Sequence, residues 1–136
     1  IYGKKGFTQY QFILPKKASF EGINKILKII ATSGRGSFLA VLKLYGQANN
    51  NYMSFPMEGY SLALDFKIEK GLFEFLDILD DIVLEYGGRI YLAKDVRMKR
   101  EIIEKAYPNI GKFRMLREKY KMYEKFSSLQ SRRLGI

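Results

Sequence analysis

The order of strand-like and helix-like segments constrains the fold of this chain more than any other feature. Four β-prone segments and two amphipathic helical patterns alternate as β-α-β-β-α-β, and a further helical stretch follows. This order is typical of the α+β, ferredoxin-like fold, an antiparallel four-stranded sheet with both helices on one face. The predicted strands span residues 8–15, 37–46, 60–68 and 89–93, the predicted helices span 18–34 and 72–88, and the helical remainder is expected to break near 108–111.

The alternation of side chains along the strands predicts which face of the sheet the helices cover. We expect the helix-covered face to carry Tyr10, Phe12, Leu14, Phe38, Ala40, Leu42, Leu44, Tyr60, Leu62, Leu64 and Phe66. The other face would carry Gln9, Gln11, Lys43, Ser61, Ala63 and Asp65. Amides, a lysine, a hydroxyl and a carboxylate are poor core material, so the sequence predicts that this second face is an open binding surface.

Charge divides the chain at Arg89. Residues 1–88 carry 10 Lys/Arg and 9 Asp/Glu, whereas residues 89–136 carry 14 and 5, so the second part supplies most of the net charge of +10. We therefore predict two parts, the sheet and its helices in 1–88 and the last strand with a basic helical segment in 89–136. The imbalance indicates either an anionic partner, such as a nucleic acid, a membrane or a phosphorylated ligand, or solvated helix faces.

The residues that this chain lacks exclude several classes of function. It contains neither Cys nor His, so disulfides, thiolate metal sites and Ser–His or Cys–His catalysis are excluded, and we expect no metal. The lack of Cys suits a cytosolic protein. No apolar run approaches the roughly 18 residues that a membrane span needs. Asp80 and Asp81 have the spacing of solvent-facing helix charges, so we assign them no role.

An RNA-recognition module is the main non-enzymatic alternative, because it shares this topology and binds through its open face. Its signature strand needs aromatic residues at positions where this chain has Ser37 and Leu39, and Gln9 and Gln11 supply no platform for stacking bases. A Gly-rich phosphate loop is also missing from the sequence. We therefore expect no nucleic-acid partner.

Six segments occur in an order that resembles one group of enzymes. They are FTQYQFILP, SGRGSFLAVLKLYG, MSFP, GYSLALDF, LEYGGRIYLAKDVR and FSSLQSRRL, and they cover the chain from Phe7 to Leu134. This order is similar to the C-terminal part of the FAD-linked oxidases of the vanillyl-alcohol oxidase superfamily, and within it to the branch of decaprenyl-phosphoribose oxidases. The SFLAVLKLYG and GGRIYLAKDVR elements are the specific part of the resemblance.

The resemblance implies a substrate-binding cap that works with an N-terminal FAD-binding domain of the same protein, to which residues 89–136 would return. FAD would be bound mainly by that domain. The implied reaction is oxidation of a secondary hydroxyl of a sugar, such as a polyprenyl-phosphate-linked pentose, by hydride transfer to the flavin. A short-chain reductase would complete an epimerisation in cell wall polysaccharide biosynthesis. The protein would be cytoplasmic, with peripheral contact to the inner face of the membrane.

The same resemblance implies a role for six residues. Gln9, Gln11, Lys43 and Ser61 would contact the substrate, and Tyr91 and Lys94 would contact the flavin. Lys94 would also be catalytic, because a fixed ammonium stabilises the negative charge that develops on a flavin during reduction. Without the resemblance, Lys94 would be interpreted as a salt-bridge partner of Asp95 or as a solvated charge at a strand end.

Two other functions stay open at the level of sequence. One is a sugar-lactone oxidase of the same superfamily, and the other is a non-enzymatic binding or structural module that uses the open sheet. The chain by itself is expected to be inactive under the enzymatic interpretation, because its implied flavin contacts all lie at one edge of the sheet.

Overall fold

The computed structural model of the chain describes residues 2–136. Its centre is a four-stranded antiparallel sheet in the order β2-β3-β1-β4, and two long helices pack on one face of this sheet. The α+β, ferredoxin-like prediction is therefore confirmed. The elements are β1 (Phe7–Pro15), α1 (Lys16–Ser33), β2 (Ala40–Tyr45), β3 (Gly59–Lys67), α2 (Leu72–Glu85) and β4 (Arg89–Ile90).

A single buried cluster joins the two central strands to both helices. The strands contribute alternate residues, as predicted, and each large apolar side chain removed from water contributes about 1.5–3 kcal/mol to stability. The members from β1 and β3 are Tyr10, Phe12, Leu14, Leu62, Leu64 and Phe66, and those from the helices include Ile26, Ile30, Leu76, Leu79 and Val83. The predicted helix-covered face is therefore confirmed for these two strands.

Two glycines allow the tight connections around this core. Gly34 ends α1 in the left-handed conformation, with φ of 70°, which costs a residue without a side chain very little. Gly59 begins β3 beside the end of β1, where a Cβ atom would lie only 1.9 Å from the carbonyl oxygen of Leu14. A larger residue at Gly59 would push the two central strands apart.

The edge strand β2 departs from the prediction. Leu42 lies opposite Leu62 and Leu44 lies opposite Tyr60, so both point to the predicted side of the sheet. They are nevertheless 58% and 63% exposed, and Ala40 and Phe38 are exposed as well. The prediction that these four residues meet the helices is wrong, because α1 packs on β1 and β3 and leaves the edge strand uncovered.

The last strand is shorter than predicted. β4 pairs with β1 only at Arg89 and Ile90, and a turn of 3-10 helix at Leu92–Lys94 replaces the rest of the predicted strand. The N–H of Tyr91 still donates to the carbonyl of Gln11 at 2.8 Å, and the N–H of Lys94 then donates to the carbonyl of Tyr91 at 3.0 Å. The chain turns at this point, so Lys94 lies in a turn beside β1.

Short helices follow, with the predicted break before α4. They are α3 (Arg100–Ala106), α4 (Ile110–Lys119), α5 (Met122–Lys125) and α6 (Leu129–Leu134). Met98, Ile103 and Tyr107 are fully buried members of the main core, so this segment packs on α2 and β4. The division into 1–88 and 89–136 stays a prediction. Within residues 2–136, no helix is long and apolar enough to cross a membrane.

The prediction that Asp80 faces solvent is wrong. Asp80 is fully buried on α2, where it accepts a hydrogen bond from the hydroxyl of Tyr10 at 2.9 Å and forms an ion pair with Arg97 at 2.7 Å. Arg97 also pairs with Asp77 at 2.5 Å. Burial raises the pKa of Asp80 to about 6, although Arg97 and Tyr10 favour its charged form. This network ties the segment after β4 to α2.

Candidate functional site

The sheet face opposite the helices is built from alternate residues of β1 and β3. Gln11 donates a hydrogen bond to the hydroxyl of Ser61 at 3.1 Å, and Gln9 donates to the carboxylate of Asp65 at 2.9 Å. Gln11 is 5% exposed and Ser61 is 1% exposed. The prediction of a fully open polar face is therefore wrong, because these groups bond to one another and are covered.

Aromatic side chains cover parts of this face. The hydroxyl of Tyr2 donates to Asp65 at 3.3 Å, and its ring stacks on Phe7 with 4.6 Å between the ring centroids. Phe55, from the loop between β2 and β3, is buried against Tyr91 with 4.5 Å between their centroids. The polar groups of β1 and β3 therefore lie on a face that this chain itself partly encloses.

Lys43 is an exposed charged residue on this face. It lies directly opposite Ser61 in the pairing of β2 with β3, so its side chain projects on the same side as the hydroxyl. Within residues 2–136, no carboxylate forms an ion pair with Lys43. Its ammonium is therefore available to an anionic group from outside the chain.

Lys94 lies at the other edge of β1, where it lines a narrow crevice together with Gln9 and Gln11. Asp95 is not its partner, because the Asp95 carboxylate pairs with Arg133 at 2.6 Å and accepts the backbone N–H of Met98 at 2.6 Å. No other carboxylate in the described part of the chain forms an ion pair with Lys94. The salt-bridge interpretation of Lys94 is therefore wrong, and its ammonium is exposed and unpaired.

Tyr91 and Arg89 hold the loop that carries Phe55. Arg89 donates to the carbonyl of Ser54 at 2.7 Å and lies 5.4 Å from the centre of the Tyr107 ring. Burial lowers the pKa of Arg89 from its usual range. The sequence alone assigned no role to Phe55 or Arg89, although they lie in MSFP and GGRIYLAKDVR, two segments of the resemblance. Strand alternation predicts the faces of a sheet, and it does not predict that the loop between β2 and β3 folds back over one of them.

The six predicted site residues thus lie on one face of the sheet or at its β4 edge. Gln9, Gln11, Lys43 and Ser61 share the face, and the backbone of Tyr91 bonds to β1 at the edge where Lys94 lies. The crevice beside Lys94 encloses about 10 Å³, about the space that one water molecule needs. The exposed ammonium groups of Lys43 and Lys94 and the half-buried amide of Gln9 can meet an anionic or hydroxylated ligand, whereas Gln11 and Ser61 are covered.

Known proteins that are similar in sequence to this chain include two that match most of its length. The chain is 43% identical over 135 residues, 99% of its length, to a decaprenylphosphoryl-beta-D-ribose oxidase of Mycolicibacterium smegmatis, of which it covers 29%. It is 33% identical over 115 residues, 84% of its length, to an uncharacterised protein from the mprA 5′ region of Streptomyces coelicolor, of which it covers 31%. The chain therefore spans about a third of the length of these curated relatives. No family model matches it.

Proposed function

From its homology to a segment of decaprenylphosphoryl-beta-D-ribose oxidase, which confirms the predicted resemblance, we propose that this chain is the C-terminal, substrate-binding part of an FAD-dependent oxidoreductase. The substrate would be a sugar carried on a polyprenyl phosphate, since the name of the relative gives a substrate of this kind. The reaction would be oxidation of a secondary hydroxyl of that sugar. The same name favours this reaction over the oxidation of a sugar lactone.

The observation that carries the proposal is the unpaired ammonium of Lys94 beside Gln9 and Gln11. Its charged neighbours Arg97 and Arg133 are both neutralised by carboxylates, whereas Lys94 is exposed and has none within residues 2–136. An exposed ammonium at the sheet edge fits one side of a flavin, where negative charge grows during reduction. The described residues form only that side, so most of the FAD contacts would come from an N-terminal domain.

FAD, when bound, supplies the acceptor for the hydride that leaves the carbinol carbon of the sugar. Lys94 would stabilise the negative charge that accompanies this transfer, an effect typically of about 10²–10³ in rate for one preorganised donor. Gln9 and Gln11 use their amide N–H groups on Asp65 and Ser61, so their amide oxygens would accept hydrogen bonds from sugar hydroxyls. The proton of the oxidised hydroxyl would leave to water or to a base outside these residues.

Further contacts and partners belong to the same proposal. Lys43 would meet the phosphate as a point charge, because an ammonium lacks the planar fork of a guanidinium. Tyr91 would contact the flavin at the edge where Lys94 lies. We further propose a short-chain reductase as the enzyme that consumes the oxidised sugar, and a cytoplasmic location with peripheral contact to the inner face of the membrane.

The direct test is Lys94→Met in the full-length flavoprotein, with anaerobic stopped-flow bleaching of the flavin by a polyprenyl-phosphate-linked pentose. We expect flavin reduction to slow about a hundredfold, the effect of losing one preorganised charge. Lys112→Met is the matched control, because Lys112 is exposed on α4 and forms no ion pair within residues 2–136. Equal, small effects of the two variants would contradict the proposed role of Lys94. If a sugar lactone reduced the flavin faster than the polyprenyl-phosphate-linked pentose does, the proposed substrate class would be wrong.

A second test uses the 136-residue chain alone. We expect it to purify from a flavin-rich host without bound flavin, because its implied flavin contacts come from one edge of the sheet. The measurement is the visible absorption spectrum of the purified chain. A stoichiometric flavin band would mean that these residues form a complete flavin site, which the proposal does not allow.

A further inference from the structure

Arg117 on α4 is a buried charge without a counter-charge. Its side chain donates to the carbonyl of Phe126 and lies over the ring of Tyr123, with 4.7 Å from the guanidinium carbon to the ring centre. Arg117 is 8% exposed, its Nε atom makes no hydrogen bond, and no carboxylate in residues 2–136 forms an ion pair with it. A buried guanidinium is unfavourable unless an anion compensates it.

Other partly buried arginines of this chain have such an anion. The pairs are Arg35 with Glu69, Arg97 with Asp77 and Asp80, Arg114 with Glu104, and Arg133 with Asp95. Arg89 lacks a carboxylate and donates to a backbone carbonyl instead. Arg117 also donates to a backbone carbonyl, but unlike Arg89 it lines an open cavity.

This cavity, of about 300 Å³, lies between α4 and the end of the chain. Arg132 on α6 also lines it and donates to the hydroxyl oxygen of Ser127 at 3.1 Å, whereas its neighbour Arg133 turns the other way to Asp95. The hydroxyl proton of Ser127 is therefore free to be donated into the cavity. No Asp or Glu side chain lines the cavity, and within residues 2–136 no carboxylate forms an ion pair with Arg117 or Arg132.

We propose that this cavity, formed by Arg117, Arg132 and Ser127, binds the phosphate group of a ligand. Guanidinium groups match phosphate oxygens with paired, charge-assisted hydrogen bonds, and a serine hydroxyl adds a further donor. Ser131 also lines the cavity, but its hydroxyl already donates to the carbonyl of Ser128 and so offers no hydrogen-bond donor to a phosphate. The phosphate belongs either to a soluble molecule or to a lipid headgroup. The proposal does not rest on the oxidoreductase activity, and its test involves no flavin.

The test is titration of the chain with inorganic phosphate at constant ionic strength, followed by NMR chemical shifts of the α4–α6 amides. Acetate serves as a carboxylate comparator. We expect saturable binding of phosphate and much weaker binding of acetate. Arg132→Gln should weaken phosphate binding roughly tenfold, the effect of losing one charge-assisted hydrogen bond. Lys125→Gln changes the net charge equally at an exposed position outside the cavity and should leave binding unchanged.

Arg117 needs a gentler substitution because it also supports the fold. Arg117→Lys keeps the charge but removes the planar fork, so the variant should bind phosphate more weakly while giving the NMR spectrum of a folded protein. Vesicles of phosphatidic acid and of phosphatidylcholine then distinguish the two sources. The ligand is a lipid headgroup if the chain is retained on phosphatidic acid vesicles alone, if free phosphate competes with this retention, and if Arg132→Gln abolishes it. The ligand is soluble if the chain binds phosphate without being retained on these vesicles.

Three outcomes would overturn the proposal. The first is binding of acetate as tight as that of phosphate, which would show a site for any anion. The second is equal weakening by Arg132→Gln and Lys125→Gln, which would show diffuse attraction to a basic surface. The third is phosphate binding by Arg132→Gln that matches the parent chain.

Discussion

The two edges of the sheet differ in whether a second layer of the chain covers them. At the β4 edge, Met98, Ile103 and Tyr107 from the C-terminal segment are fully buried against the sheet and α2. At the β2 edge, Leu42 and Leu44 point to the same side of the sheet and are mostly exposed. The difference shows that alternation along a strand decides where a side chain points, whereas a second layer decides whether it is buried.

Polar contacts strengthen the covered edge further. The hydroxyl of Tyr107 donates to the carbonyl of Ile90 in β4 at 2.7 Å, and Arg97 connects the following turn to Asp77 and Asp80 on α2. The segment after β4 therefore completes the core at this edge. Disruption of this core should be costly, and equivalent changes at the β2 edge should not be.

The largest expected effect is that of Phe12→Ala. Phe12 is fully buried where β1 pairs with both Leu62 and Ile90, so its truncation should lower the free energy of unfolding by about 3–5 kcal/mol. Phe38→Ala is the matched control near the β2 edge, where the ring is largely exposed. Denaturant unfolding of both variants is the measurement. Similar losses would mean that another surface covers Phe38 in solution.

The next effect is a pH dependence carried by Asp80. Burial raises its pKa to about 6, so between about pH 4 and pH 6 the folded state binds more protons than the unfolded state. Its contribution to stability is therefore present at low pH and lost as the pH rises through 6, by up to about 3 kcal/mol. Asp80→Asn lacks this dependence, so the stability of the parent chain minus that of the variant should fall from pH 4 to pH 7. A difference that rises with pH would show that Arg97 outweighs the effect of burial.

Gln11→Leu should have an intermediate effect. The substitution leaves the buried hydroxyl of Ser61 without its partner, at a cost of about 1–3 kcal/mol. Lys43→Met, on the same face but exposed, should change the free energy of unfolding by no more than about 0.5 kcal/mol. The double variant Gln11→Leu with Ser61→Ala should recover part of the loss, because no buried polar group is then unpaired. If Gln11→Leu left the free energy of unfolding unchanged, the prediction of an open polar face would be restored.

The sequence alone was sufficient for the fold and for the face on which Gln9, Gln11, Lys43 and Ser61 lie. Periodicity of two and of 3.6 residues placed each main element, and the same alternation put Gln11 and Ser61 on one face of the sheet. It could not show that Asp80 is buried, because its partner Arg97 is distant along the chain and only the fold brings them together. It also could not show that the loop with Phe55 partly encloses the polar face, or that Arg117 has no carboxylate partner within residues 2–136. The assignments to Lys94 and the other site residues stay predictions.

The smallest expected effect, that of Leu42→Ala, sharpens the comparison at a single pair of residues. Leu42 and Leu62 lie directly opposite each other on neighbouring strands, yet they are 58% and 4% exposed. Leu62→Ala should cost about 2–5 kcal/mol, as a buried leucine does. Leu42→Ala should change the free energy of unfolding by no more than about 0.5 kcal/mol, since little apolar contact is lost at an exposed position. The two leucines share chemistry and side of the sheet, and the helix layer covers Leu62 on the central strand but not Leu42 on the edge strand. A cost at Leu42 that matches the cost at Leu62 would therefore mean that another surface covers the β2 edge in solution.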